Sequence, residues 1–389
     1  MTDPALYLLE PPDPGSEWEP FRSVRPIAEL RAGAWRVRER WAMLLGREVT
    51  AVLSGHCPDF ADAGAAPCRA PAPVDGPAIV AASWFAPIGA GLELPADVRR
   101  LTAGGESVGW IVPAGERWPG DDLDGGPAFA VEGLHLRGTC DLLTALEHLL
   151  ADDCATFLAE SSDGVPPGSI MLGPPGLVAS FGAVVEPGVV FDTRTGAIIL
   201  SSGCIVRSGT RLEGPIFAAP DTWLLGGAVR HSSFGPATRV HGEVSNSVFL
   251  GFANKSHDGF LGHSVLGQWV NLGAGTITSN LKNTYGEVSL DLPGGRLATG
   301  RTNVGTLFGD HVKTGIGTLL STGTVVGAGA SVVGGPVPRY VVPFAWGSGE
   351  RLQLEGFLKI AGRVMPRRHV DLTPAITASL IATHQRLAR

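Results

Sequence analysis

The sequence predicts an α/β N-terminal domain, then a left-handed parallel β-helix, then a C-terminal helical cap. Three observations lead to this fold class. Glycine accounts for 54 of the 389 residues, about twice its usual share, and most glycines lie between residues 171 and 350. Aliphatic residues recur every six positions in that same region. Before residue 165, strand-like runs alternate with helical patterns.

The first domain is assigned to residues 1–165. Apolar residues recur at helical spacing from Ile27 to Leu44, which predicts a helix over residues 26–45, with Pro26 in its first turn and Gly46 after its end. Strands are expected at residues 49–53, 78–82 and 108–112, and a second helix at residues 140–160. Alternating strands and helices favour a three-layer α/β arrangement.

The second domain is assigned to residues 166–347, where hexapeptide repeats indicate a parallel β-helix. One aliphatic residue in six would point into a triangular prism, and small residues would turn its corners. The residues six apart are Val178, Val184 and Val190; Ile199 and Ile205; Leu266 and Leu272; and Leu320, Val326 and Val332. A helix is excluded because each interior glycine would cost about 1 kcal/mol.

The repeats are interrupted at residues 251–260 and 277–303, which predicts two insertions that project from the solenoid and carry function. Residues 348–389 return to helical patterning. Helices are expected there at residues 350–365 and 373–387, forming a terminal cap.

Composition excludes several classes of protein. The net charge is −7 with no cluster of Lys and Arg, so nucleic acid is not an expected partner. No apolar run reaches 18 residues, so no membrane span is expected. Five cysteines without a CxxC pair suggest a reducing compartment and no structural zinc. The N-terminus lacks the pattern of a signal peptide, and a cytoplasmic protein is expected.

The most informative stretch joins a polar segment carrying His257 to the repeats that follow Trp269. Histidine suits general-base catalysis because its unperturbed pKa lies near working pH. The alternative is a loop histidine that is hydrogen-bonded to Asp258. Asn271 could bind a ligand or could occupy a β-helix corner, since asparagine tolerates left-handed backbone.

These residues resemble those of the acetyltransferase half of GlmU proteins, and more closely a GlmU-like family of sugar nucleotidyltransferases. The resemblance covers most of the chain and is most specific in the β-helix. The matching segments are Ser256-His257, Phe260-Leu261-Gly262, and residues 270–280, 242–248, 281–286, 309–314, 361–365 and 23–31.

The resemblance implies acyl transfer from acetyl-CoA to an amino-sugar phosphate, in the biosynthesis of UDP-N-acetylglucosamine. His257 matches the base of that family, and Asn271 and Asn280 match asparagines on the substrate side. Gly273, Ala274 and Gly275 would let the coil turn and a ligand approach, with backbone amides available to an oxyanion; a purely structural role is the alternative. The resemblance also implies a homotrimer with sites between neighbouring β-helices.

Two positions depart from the family pattern. Phe260 stands where the family has a tyrosine, so it lacks a hydrogen-bond donor, and Ser245 stands where GlmU has a lysine that contacts the sugar phosphate. The residues that could supply the missing charge are Arg239, Lys255, Lys282 and Lys313. These changes bear on the choice of sugar more than on acyl transfer.

The N-terminal half resembles a reduced nucleotidyltransferase, because the phosphate-binding run Gly-x-Gly-x-Arg-x-x-Lys is missing near its start. Arg25 and Arg31 could contact nucleotide phosphates or could lie on the solvated face of the predicted helix. Retained nucleotidyl transfer would require Mg²⁺. No metal-ligand motif is expected, either in the acidic run Asp121-Asp122-Leu123-Asp124, interpreted as a solvated loop, or at His231, His263 and His311, interpreted as corner residues.

Two alternatives to acyl transfer stay open. The chain could catalyse nucleotidyl transfer alone, with the β-helix serving as a trimer frame. It could also be a non-catalytic scaffold that binds sugar nucleotides.

Overall fold

The computed structural model describes residues 3–120, 126–347 and 349–388. A mixed seven-stranded sheet organises the N-terminal part. Its middle is parallel, with Ala5–Leu9 between Ala78–Ala82 and Val49–Leu53, and it becomes antiparallel where Glu106–Val112 pairs with its neighbours. In spatial order its strands are Ala128–Ala130, Arg100–Ala103, Glu106–Val112, Ala78–Ala82, Ala5–Leu9, Val49–Leu53 and Cys68–Arg69.

Two helices accompany this sheet, Val37–Leu45 and Asp141–Leu158. Three two-stranded ribbons lie around it: Arg31–Ala32 with Trp35–Arg36, Val74–Asp75 with Arg117–Trp118, and Phe85–Pro87 with Gly133–His135. The second helix and the strands at residues 49–53 and 78–82 confirm the sequence-based expectations, and the strand expected at 108–112 begins at Glu106.

The helix predicted over residues 26–45 is only half right. Its first half is a 3-10 turn, Ile27–Glu29, followed by the ribbon. The Glu10 carboxylate accepts hydrogen bonds from the Ile27 and Ala28 amides at 2.8 and 3.0 Å, and Gly33 has a left-handed φ of 68°. These tertiary contacts override the apolar spacing, and the α-helix begins at Val37.

From Ile170 onward the chain forms a parallel β-solenoid with three faces. The first face contains Val184–Val185, Ile205–Val206, Trp223–Leu224, Arg239–Val240, Asn254–Lys255, Asn271, Lys313–Thr314, Ser331–Val332 and Ala345–Trp346. The second contains Ile170–Leu172, Val190–Asp192, the first halves of Thr210–Ala218 and Gly227–Phe234, Glu243–Ser245, Phe260–Gly262, Ile277–Thr278 and Leu319–Leu320. The third contains Val178–Ser180, Ile198–Leu200, the second halves of those two long strands, Val248–Phe249, Val265–Leu266, Thr306–Phe308, Thr324–Val326 and Tyr340–Val341.

In the later coils both the six-residue spacing and the positions predicted to point inward are confirmed. Leu266, Leu272, Leu320, Val326 and Val332 are buried in the core of the solenoid. In the first coils Val178 is in the core as predicted, but at the next positions the inward residue comes one position later than predicted. Phe191 and Val206 point inward, whereas Val184 is 62% exposed. Long coils explain the slip, since Ile170 pairs with Val190 and Val184 with Ile205.

Of the two predicted insertions, only the second exists. Residues 277–303 contain the hairpin Ser289–Leu292 with Gly295–Ala298. At residues 251–260 the coil is uninterrupted, because Asn254–Lys255 and Phe260–Gly262 are both solenoid strands. His257 therefore lies at a coil corner.

The N-terminal part and the solenoid share one core. Outward residues of the third face, among them Phe217, Val265 and Leu307, are buried in the same cluster as the helix Asp141–Leu158. The third face is thus covered by the chain's own N-terminal half.

The C-terminal helices Leu354–Val364 and Pro374–Leu387 confirm the predicted cap, joined by the 3-10 turn Met365–Arg368. They pack on Trp269 through Ala361, Met365 and Ile376. Within the described ranges, none of the helices has the length and apolar character needed to cross a membrane.

Candidate functional site

His257 lies at the corner between the first and second faces, in the turn that joins Asn254–Lys255 to Phe260–Gly262. It is exposed. Its backbone carbonyl accepts a hydrogen bond from Lys255 Nζ at 2.7 Å, which anchors the turn from inside. The imidazole is therefore held on a well-anchored corner and is accessible to a ligand.

The alternative interpretation had His257 hydrogen-bonded to Asp258, but in the structure Asp258 pairs with a different histidine. Its Oδ1 lies 3.4 Å from Nδ1 of His241, which occupies the same corner one coil earlier. Asp258 is 92% exposed. His241 was missed in the sequence, and the repeat register that pairs Val240 with Lys255 is the signal that would have placed it beside His257.

Asn271 lies on the outer side of the first face, between Asn254 and Lys313 in the neighbouring coils. Asn254 Nδ2 donates to Asn271 Oδ1 at 2.7 Å, and Ser256 Oγ donates to Asn254 Oδ1 at 2.6 Å. These two hydrogen bonds orient the side-chain amide of Asn271. Its NH₂ group has no acceptor among the described residues. The same two hydrogen bonds also link Asn271 to the residue next to His257.

Phe260 begins the second-face strand that follows the His257 corner, and Asn280 lies beyond the end of the second-face strand Ile277–Thr278, beside His263. A Cβ at Gly262 would stand 2.6 Å from the Phe260 ring and 2.7 Å from Asn280 Nδ2, so both side chains pack over a position that only glycine can occupy. Asn280 Nδ2 is 2.8 Å from His263 Nδ1. The two predicted substrate asparagines thus lie on opposite sides of the His257 corner, Asn271 on the first face and Asn280 at the far end of the second.

Gly273, Ala274 and Gly275 form the same corner as His257, one coil later. The Gly273 amide donates to Thr314 Oγ1 at 2.9 Å and the Gly275 amide to the Asp258 carbonyl at 3.0 Å. Gly275 has a φ of 71°, and a Cβ on Gly273 would stand 2.6 Å from the Gly315 carbonyl. Two of the three amides are therefore used by the fold, and of this segment the Ala274 amide alone has no acceptor among the described residues.

Lys255 is the one predicted substrate contact that the structure turns inward. Its strand position is paired with Val240 and lies in the prism core, and its residue is 2% exposed. Nζ donates to the carbonyls of His241 and His257, each at 2.7 Å. Burial lowers the pKa of Lys255 to about 8. Its role is to tie two corners together, not to face a substrate.

Arg25 and Arg31 are also buried, which corrects the nucleotide-contact prediction. Arg25 binds Asp310 Oδ2 through Nε and Nη2, at 3.1 and 2.9 Å, and Asp62 through Nη2 at 2.7 Å. Arg31 donates to the Ala34 carbonyl, and its guanidinium stacks 5.7 Å from the Phe217 ring centroid. Because Asp310 and Phe217 belong to the solenoid, both arginines join the two halves of the chain.

The three histidines predicted as corner residues have left-handed backbone: φ is 44° at His231, 46° at His263 and 61° at His311. Among the described residues, no group of three or more His, Cys, Asp or Glu side chains is arranged to hold a metal ion. The acidic run Asp121-Asp122-Leu123-Asp124 lies outside the described residues.

Comparison with known proteins supports the resemblance. Residues 8–160 match the family model described as sugar nucleotidyl transferase. The chain is 37% identical over 95 residues to the "Bifunctional sugar-1-phosphate nucleotidylyltransferase/acetyltransferase" of Sulfurisphaera tokodaii, covering 24% of each chain. It is 34% identical over 92 residues to the "Bifunctional protein GlmU" of Methanococcus vannielii, covering 24% of this chain and 22% of the relative. The matches thus span about a quarter of the length of these curated relatives.

A hexapeptide transferase family protein from Anaplasma phagocytophilum is a structural neighbour at 15% identity. The alignment covers 51% of this chain and 90% of that one, with a TM-score of 0.24. The family model over residues 8–160 and the named relatives show that this chain is similar to sugar nucleotidyltransferases and to GlmU proteins, and the β-solenoid fits that similarity.

Proposed function

We propose that the chain transfers an acetyl group from acetyl-CoA to the amine of an amino-sugar phosphate. The observation that carries this proposal is the exposed His257 on an anchored corner, with Asn271 on one side and Asn280 on the other. The relatives named as acetyltransferases support the same chemistry.

In this reaction the amine nitrogen attacks the thioester carbonyl, and His257 takes the proton that the nitrogen loses. The tetrahedral intermediate then collapses, the C–S bond breaks, and the coenzyme A thiolate leaves and takes up a proton. The Ala274 amide, at the same corner one coil later, would donate a hydrogen bond to the developing oxyanion. Each turnover releases one free thiol.

The test is thiol release from acetyl-CoA with glucosamine 1-phosphate and related amino-sugar phosphates. His257→Ala is compared with His241→Ala, which removes the imidazole one coil earlier at the same corner. Loss of release in the first variant only would support His257 as the base. No thiol release by the wild type with any of these acceptors would refute acyl transfer.

Nucleotidyl transfer is a second candidate, favoured by the family match over residues 8–160. It would require Mg²⁺, and the burial of Arg25 and Arg31 leaves neither guanidinium for phosphate. Pyrophosphate release from a nucleoside triphosphate and a sugar 1-phosphate, with magnesium, tests it independently of thiol release.

A homotrimer is part of the same proposal. Apolar side chains are exposed on the second face and the corner beside it, where the chain's own domains do not pack: Leu319 is 66% and Ile316 87% exposed. A second copy of the chain would bury them. Sedimentation equilibrium of the wild type and of a Leu319→Glu, Ile316→Glu variant tests this.

A further inference from the structure

The outer side of the first face carries an uncompensated positive charge under the C-terminal cap. Arg239, Asn254, Asn271 and Lys313 occupy one register position in four successive coils. Neighbouring strands are about 4.8 Å apart, so the column extends over about 14 Å. We call it the cationic column.

The end of the helix Leu354–Val364 and the 3-10 turn Met365–Arg368 that follows it close this column into a pocket. Val364, Arg367 and Arg368 complete a cavity of about 170 Å³ that the column lines. Phe252 and Trp269 form its apolar wall, stacked with ring centroids 4.4 Å apart and planes at 9°. The site is therefore built from two parts of the chain.

Four cations line this pocket, and no acid neutralises them. Among the described residues, none of Arg239, Lys313, Arg367 and Arg368 has a carboxylate within 4.0 Å, although the chain as a whole has a net charge of −7. Burial and the nearby Arg239 and Arg367 lower the pKa of Arg368 to about 10. Such repulsion is relieved when an anion binds.

The donors are held in place while their N–H groups stay available. The Arg239 guanidinium lies 4.0 Å from the Trp223 ring centroid, which fixes its plane. Lys313 Nζ donates to the carbonyls of Trp269 and His311, at 2.8 and 3.1 Å, and has a third N–H left. Arg368 Nε is buried without an acceptor. The Asn271 amide adds a neutral donor.

We propose that this pocket binds the phosphomonoester group of a substrate. The chemistry fits the phosphate of an amino sugar or the 3′-phosphate of coenzyme A equally, since both are terminal dianions. The identity of the substrate rests on the proposed acyl transfer, whereas phosphate binding itself does not. Of the four residues considered for the missing charge, Arg239 and Lys313 are the ones that face the pocket. Lys255 is buried, and Lys282 donates to the Glu287 carbonyl.

The binding test uses calorimetry on the full chain with inorganic phosphate at constant ionic strength. The variant Arg367→Ala, Arg368→Ala removes two cations from the 3-10 turn, and Arg363→Ala, which removes an exposed arginine of the preceding helix outside the pocket, is the control. We expect phosphate affinity to fall at least about tenfold in the double variant and to stay unchanged in the control. Equal losses in both, or no phosphate binding by the wild type, would overturn the proposal.

The source of the phosphate is distinguished by two pairs of ligands: glucosamine 1-phosphate against glucosamine, and coenzyme A against dephospho-coenzyme A. In one of the two pairs, the wild type should bind the phosphorylated ligand more tightly and the double variant should lose that preference. That ligand is the one whose phosphate occupies the pocket. If thiol release fails but phosphate binding depends on Arg367 and Arg368, the pocket stands and the proposed function falls. If thiol release is seen and the double variant changes neither KM, the pocket assignment is wrong.

Discussion

Cations at two places in this chain have opposite surroundings. In the N-terminal half, Arg25 is buried between Asp62 and Asp310, and Arg40 is paired with Asp153. On the first face of the solenoid, Arg239 and Lys313 have no acidic partner among the described residues. A buried charge without a partner is unfavourable unless something else compensates it. The paired Arg25 and Arg40 therefore stabilise the fold, and the unpaired Arg239 and Lys313 indicate where an anion would bind.

The end of the N-terminal parallel strand and the His257 corner of the solenoid also differ in whether their polar side chains are used by the fold. At the carboxyl end of the strand Ala5–Leu9, where α/β proteins commonly bind ligands, the Glu10 carboxylate is occupied by two amides and by His56 Nε2 at 3.0 Å. At the solenoid corner, His257 is exposed. The Glu10 carboxylate is therefore used by the fold, whereas the His257 imidazole is open to solvent.

The largest expected effect comes from removing the base. His257→Ala should lower kcat for thiol release by about 10²- to 10⁴-fold, the usual contribution of general-base catalysis. Its urea midpoint should match the wild type because the imidazole is exposed. Full activity in this variant would assign the base elsewhere, with His241 the next residue to replace.

Removing a buried arginine that is paired with acids should lower the free energy of unfolding rather than the activity. Arg25→Met leaves Asp62 and Asp310 buried without their cation, which should cost about 3–5 kcal/mol in the free energy of unfolding. Urea denaturation measures it. Arg22→Met is the control: its 2.9 Å bond to Asp13 is exposed, so its loss should cost no more than about 1 kcal/mol. Similar costs for the two variants would contradict the structural role of Arg25.

A smaller effect is expected from the pH dependence of stability. Burial lowers the pKa of Lys255 to about 8, below the ordinary lysine value of 10.5. Between pH 8 and 10.5 the unfolded chain then holds more protons than the folded one. Stability should therefore rise with pH in this window, by at most about 1.4 kcal/mol per pH unit for one lysine.

In the Lys255→Met variant, the free energy of unfolding should rise less steeply with pH than in the wild type. The Lys359→Met variant, which removes an exposed lysine, should keep the wild-type slope. Urea denaturation at several pH values between 7.5 and 10 measures the difference. Because Lys313 has a similarly lowered pKa, part of the slope should persist in Lys255→Met. Parallel slopes for the two variants would show that Lys255 is not buried as described.

The smallest effect is expected at the exposed acid of the corner. Asp258→Asn weakens the 3.4 Å contact with His241, and exposed ion pairs contribute about 0.2–1 kcal/mol. The rate of thiol release should fall by no more than about fivefold. A hundredfold loss would instead show that Asp258 orients the base.

The solenoid was predictable because its repeats are local: six-residue spacing and corner glycines are read directly from the sequence. Only the first half of the helix predicted at residues 26–45 is wrong, because the Glu10 carboxylate accepts hydrogen bonds from the Ile27 and Ala28 amides, a contact that the local apolar spacing does not reveal. The Arg25 and Arg31 interpretation failed for the same reason, as their partners Asp310 and Phe217 are far away in the sequence. His257, Asn271 and Asn280 could be selected from motifs. His241, Arg367 and Arg368 could not, because only coil stacking and helix docking bring them to the corner and the first face.

One kinetic comparison tests the account most directly: thiol release from acetyl-CoA with glucosamine 1-phosphate against glucosamine, in the wild type, His257→Ala, and Arg367→Ala, Arg368→Ala. We expect the wild type to prefer the phosphorylated acceptor, His257→Ala to lose activity with both, and the double variant to lose only the preference. Wild-type activity that is indifferent to the phosphate and independent of His257 would contradict it.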